Sequence, residues 1–92
     1  MEEAQIKWTD YMLYRMKERG YDAAKIEEIV RHSAERYTDT ESKRTIIIGR
    51  HDERLVMIPI EGGGNLEIIP VTVHATTRQQ IRFRLQSGRF QL

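Results

Sequence analysis

Apolar spacing divides the chain into a helical first third and an extended middle. In "TDYMLYRMKERG", residues 9–20, Met12 and Met16 recur at i and i+4 with Leu13 beside them, opposite Lys17, Glu18 and Arg19. Such a stripe predicts an amphipathic helix. Thr9 or Asp10 can accept the free N–H groups of its first turn, and Gly20 supplies a left-handed exit. A second helix is expected from Asp22 as N-cap, with Ala23, Ile26, Ile29 and Val30 on one face and Lys25, Glu27, Glu28 and Arg31 on the other. His32 falls in its last turn, where a cation complements the helix dipole, and needs no chemical role.

The period then shortens. "RTIIIGRH" (44–51) and "ERLVMIPI" (53–60) are apolar at both parities, which predicts neighbouring strands covered on both faces, joined through Asp52 and Glu53. Pro59 cannot donate to a ladder and is expected at an edge or a bulge. "EGGGN" (61–65) predicts a turn before a third strand, "LEIIPVTVHA" (66–75), and "ERYTD" (35–39) a weaker edge strand ahead of the hairpin. Unbroken alternation places Ile69, Val71, Val73 and Ala75 on one face and Thr72, His74 and Thr76 on the other, a polar face that meets solvent or lines a groove.

In "TTRQQIRFRLQSGRF" (76–90), Thr76 with Gln79, or Thr77 with Gln80, reads as a capping box that opens a helix over 77–86, closed by Gly88. Ile81, Phe83 and Leu85 alternate with Arg82 and Arg84, which also suits a strand; the cap and the Ile81/Leu85 spacing favour the helix. The expected architecture is one α+β domain of two N-terminal helices, an antiparallel sheet of three to four strands and a C-terminal helix.

Composition narrows the chemistry. Ninety-two residues without cysteine suit a single domain with one modest core, no disulfide and no cysteine-based zinc site. "MEEAQIKWTD" carries acids where a leader would carry basic residues, and no apolar run approaches a membrane span, so a cytoplasmic protein without membrane contact is expected. The net charge of +1 is unevenly placed: residues 1–42 hold ten acids and seven Lys or Arg, residues 43–92 four acids and eight Lys or Arg, and four arginines follow Glu67 with no acid among them. Such a tail either attracts phosphate or forms a solvated basic face.

Carboxylates lie mostly on the expected helix surfaces, and no H-E-x-x-H, EF-hand or P-loop spacing occurs, so neither metal nor cofactor is expected. Ser33, Ser42 and Ser87 lack a nucleophile-elbow context. What remains is cleavage of RNA through its own 2′-hydroxyl, which requires a proton acceptor working near neutrality and cations for the developing phosphorane. The candidates are His74 and His51 for proton transfer with Arg78 beside them, and Arg44, Arg50, Arg82 and Arg84 for phosphate. Each has a plainer explanation as a hydrogen-bonded strand histidine, a turn residue or a solvating arginine. Convergence on one surface is what separates the two.

Three segments, "KWTD" followed by "RMKERGYDAAKIEEIV", "RTIIIGRHDERLVMIPIE", and "IIPVTVHATTRQQ", together resemble the BrnT-like branch of the RelE-type toxin superfamily and a related bacterial domain family of unknown function often grouped with it. The resemblance spans nearly the whole chain. It implies two opening helices, an antiparallel sheet and a C-terminal helix, and in the toxin branch a ribonuclease of a type II toxin–antitoxin system that acts on mRNA and is silenced by a cognate antitoxin. By position, Arg44 leads the first long strand and Arg78 is the arginine of the Thr-Arg segment. His74 stands where toxin-type sequences more usually carry Arg, and Tyr11 where the relatives of unknown function often carry His. RNA, an antitoxin and a second copy of the chain are the compatible partners. The rival expectation is a non-catalytic domain of the same fold that binds nucleic acid or a protein partner.

Overall fold

A computed structural model describes residues 4–63 and 66–92. The fold is α+β, with β1 (Gln5–Ile6), α1 (Asp10–Arg19), α2 (Ala23–His32), β2 (Glu35–Asp39), β3 (Thr45–His51), β4 (Arg54–Gly63), β5 (Glu67–Pro70), β6 (His74–Ala75), α3 (Arg78–Gln86) and β7 (Phe90–Gln91). The helices begin where side-chain acceptors occur. Thr9 Oγ1 accepts from Met12 N–H at 3.1 Å, Asp22 Oδ1 from Lys25 N–H at 3.1 Å, and Thr77 Oγ1 from Gln80 N–H at 3.1 Å. Gly20 leaves α1 at φ 74°. Leu13, expected beside the apolar stripe, is 45% exposed, whereas Met12 and Met16 are buried.

Among the described residues the sheet has seven strands rather than three to four, in the order β1-β5-β4-β3-β2-β7, with β6 paired to β4. β1 runs parallel to β5, and β7 covers the outer side of β2, so "ERYTD" is not an edge. The β3–β4 hairpin turns at Asp52 and Glu53, with His51 opposite Arg54 and Ile47 opposite Ile58. Directly opposed residues share a face. Ile47, Val56 and Ile58 therefore meet α1 and α2 in one cluster, and Ile46 and Ile48 meet Ile81 of α3 and Phe90 in another. The double parity of the two strands has its cause here: each face carries helices.

The expected third strand is broken. Ile60 faces Pro70 and Met57 faces His74, so four residues on one side span three on the other. That extra residue is a bulge, and it reverses the alternation. Both prolines lie at the step, where Val71 N–H donates to Pro59 O at 2.8 Å and the missing Pro59 donor leaves no gap in a regular ladder. Downstream of the bulge, Val73 and the two threonines Thr72 and Thr76 are buried, Ala75 is exposed, and His74 turns half-buried toward the α3 face beside Met57. The expected unbroken alternation from Ile69 to Ala75 is thereby corrected, while Thr72 and His74 of the expected polar face together line a cleft. Of the expected turn at 61–65, Glu61, Gly62 and Gly63 extend β4 opposite Ile69, Ile68 and Glu67 of the antiparallel β5, and residues 64–65 lie outside the described residues. Among the described residues no helix is long and apolar enough to cross a membrane.

Candidate functional site

On the α3 face, uncovered sheet and the inner side of α3 enclose a cleft of about 510 Å³, lined by Arg44, Met57, Thr72, His74, Arg84 and Arg89 among others. Arg44 precedes β3, and its Nε and Nη2 donate to Glu61 Oε1 at 2.9 and 2.7 Å. Arg89 is held beside β7 by the buried Asp39 at 3.1 Å and by Glu41 at 2.8 Å. Arg84 differs. Its Nη1 lies 3.5 Å from Met57 Sδ and its guanidinium 5.6 Å from the Phe90 ring centroid, with no carboxylate partner among the described residues. It is the arginine in this cleft whose charge is not locally balanced.

His74 projects from β6, outside which no strand lies among the described residues. Burial, and then the positive charges of Arg19, Arg15 and Arg84, hold its pKa below the ordinary 6.5. At neutral pH the imidazole is uncharged and able to take a proton. Two residues away, Thr72 is 9% exposed, and its Oγ1 is buried with no hydrogen-bond partner among the described residues. An unsatisfied buried hydroxyl is destabilising, so Thr72→Val is expected to raise the free energy of unfolding by about 1 kcal/mol. Urea denaturation measures this. A less stable variant would mean that the hydroxyl is satisfied in the folded protein.

The other sequence candidates are placed elsewhere. His51 is 3% exposed on the opposite face, where Nε2 accepts the Asp22 N–H at 2.9 Å and the ring meets Tyr21 edge-on at 5.0 Å. Its place is explained by anchoring the start of α2. Arg78 Nη1 donates to both oxygens of Glu35 at 2.8 and 2.7 Å, and Tyr37 Oη donates to the same carboxylate at 2.7 Å. Burial raises the Glu35 pKa, but the hydrogen bonds from Arg78 and Tyr37 outweigh it and leave the pKa below the ordinary value. Arg78 thus ties α3 to β2 and does not line the cleft, although it follows His74 by only four positions. Arg50 reaches the Glu53 carbonyl at 3.2 Å at the far end of the hairpin. Arg82, next to the exposed Phe83, lines a second groove that shares Gln80, Arg84 and Arg89 with the cleft.

Of the seven candidates, then, Arg44, His74 and Arg84 converge on one cleft. Sequence reasoning placed Thr72 on the face of His74 but missed Arg89, Arg15 and Arg19 as neighbours of that site; the acid-free tail was the available signal for Arg89. Among the described residues no three His, Asp or Glu side chains cluster in a way that could hold a metal ion. No family model, no curated protein and no solved structure matches this chain.

Proposed function

We propose that the chain is a metal-independent endoribonuclease of the toxin type, acting on mRNA in the cytoplasm and restrained by a cognate antitoxin. The observation that carries this is the uncharged His74 beside the unbalanced Arg84 in a cleft open to a polymer. His74 removes the proton of a 2′-hydroxyl, O2′ attacks the adjacent phosphorus, and the P–O5′ bond breaks as the departing 5′-oxygen takes a proton from water, His74 returning its own proton to solvent. The products carry a 2′,3′-cyclic phosphate and a 5′-hydroxyl. Arg84 offsets the charge that develops on the phosphorane, and Arg44 joins it by exchanging Glu61 for phosphate. The order of two N-terminal helices, a mostly antiparallel sheet and a helix near the C-terminus supports a RelE-type, BrnT-like relationship.

Purified protein is expected to cut single-stranded RNA in EDTA to cyclic-phosphate ends, and induced expression to arrest growth. RNA left intact at high protein concentration, together with normal growth, removes the proposal. One observation favours a non-catalytic RNA-binding alternative: Arg44 and Arg89 are already paired with carboxylates. On that alternative RNA affinity falls steeply with salt and no cleavage accompanies it.

A further inference from the structure

Beyond the cleft, α1 lies near the open edge that bears His74. Arg54 donates from Nη1 and Nη2 to the carbonyls of Arg19 and Gly20 at 3.1 Å each, fixing the end of α1 to the first residue of β4. Two residues further along β4, Val56 and Met57 pair with β6. The last turn of α1 and the open edge of β6 therefore share one rim of the molecule. Arg15 and Arg19 act electrostatically on His74 from this rim, while Arg84 acts from the α3 side.

α1 carries Tyr11, Tyr14, Arg15 and Glu18 at helical spacings along one stripe, on which the Arg15 side chain is 17% exposed. Tyr11 and Tyr14 are 53% and 58% exposed, although α1 offers Met12 and Met16 to the core. The Arg15 guanidinium lies 5.7 Å from the Tyr11 ring centroid. Its Nη1 is 3.4 Å from Glu18, and its Nε is buried without a hydrogen-bond partner among the described residues. Arg19 makes no side-chain ion pair among the described residues. Arg15 and Arg19 beside two exposed phenol rings, on a helix that lies across the β6 edge from the cleft, form a surface suited to a single strand, whose bases are free to stack and whose phosphates carry the charge.

We propose that single-stranded RNA leaves the cleft over the β6 edge and crosses α1, with Arg15 and Arg19 taking phosphates and Tyr11 and Tyr14 stacking bases. This rests on the RNA reading of the cleft and names the form of the substrate. A duplex is excluded from the same path because its base faces are already stacked.

The test is fluorescence anisotropy with 2′-O-methyl RNA, which cannot be cleaved, as a twelve-nucleotide strand, as the same strand in duplex, and as a dinucleotide. The wild-type chain is expected to prefer the single twelve-nucleotide strand over both. Tyr11→Ala with Tyr14→Ala is expected to shrink its advantage over the dinucleotide about ten-fold, and Tyr11→Phe with Tyr14→Phe to retain it. Arg15→Gln with Arg19→Gln is expected to lower the steepness of the salt dependence by about 1.4, the loss of two single-strand phosphate contacts. Lys17→Gln, a charge change elsewhere on the helix, serves as the control. Unchanged affinity in both the Tyr→Ala and the Arg→Gln double variants, or a duplex bound as tightly as the single strand, overturns the α1 path while leaving the cleft reading intact. A wild-type chain that binds none of the three probes overturns both.

Discussion

Gly49→Ala is expected to destabilise the protein by about 2–3 kcal/mol, a large share of the roughly 5–15 kcal/mol typical of a folded domain. Gly49 lies in β3 opposite Val56, on the face that carries α2. A methyl built there falls well inside the van der Waals contact distance of Ile29 Cγ2 and lies 3.0 Å from Cγ1 and 3.2 Å from Cβ. Ile29 is buried in the core of that face, and the Ser33 hydroxyl at the end of its helix donates to Ile48 O in β3. α2 is thus held to the strand at both ends of the contact and cannot lift without breaking it. Ile29→Ala alone creates a cavity and also destabilises, by about 2–4 kcal/mol. Together the two changes should cost clearly less than their sum, because the alanine side chain at 29 vacates the space that the new methyl enters. Urea denaturation of the wild type, both single variants and the double variant completes the cycle. Strict additivity would show that Gly49 is not set by this approach of helix to strand.

His74→Ala is expected to lower the rate of RNA cleavage by about 10²–10⁴-fold, the usual contribution of a positioned proton acceptor. His74 is half-buried on an edge strand, so the loss should appear in single-turnover rate with little change in thermal stability. The pH profile gives a second reading. Because burial and three arginines hold the folded-state pKa below 6.5, the base limb rises in the acidic range and is level by neutrality. Arg84→Gln removes one of those charges, and should move the limb toward higher pH while lowering the plateau. The linkage to stability has the corresponding sign. Protonation of His74 favours the unfolded chain, so its contribution is complete above 6.5 and is lost as the pH falls toward the depressed folded value.

The helices and the β3–β4 hairpin could be read from sequence because their causes are local. Thr9, Asp22 and Thr77 cap within three residues of their own positions, and Asp52 and Glu53 turn within the hairpin they join. The Thr76 hydroxyl bonds the Gln80 side chain rather than completing a reciprocal box, a detail that spacing alone leaves open. β1 and β7 contain two residues each, too few to carry a period, and form only because β5 and β2 offer them an edge. The bulge before His74 depends on how two distant prolines meet across strands. Its effect was to reverse the face assigned to every residue after it.

Residue chemistry alone singled out Arg44, His74 and Arg84, but the pairing that gathers them spans forty positions of chain. His51 and Arg78 were equally plausible by type. Their partners, Asp22 and Glu35, lie 29 and 43 residues away, and it is those partners that account for both side chains. A sequence shows which groups are able to act; it does not show which are already engaged.

The most direct measurement is a ¹H–¹⁵N NMR titration of His74 with and without a saturating dinucleotide that carries a 2′-deoxy sugar at the scissile position. A phosphodiester seated in the cleft should raise the pKa of His74 from its depressed value and shift the Arg84 side-chain resonance. A His74 titration that is the same with and without the dinucleotide would contradict the assignment of this cleft as the phosphate site.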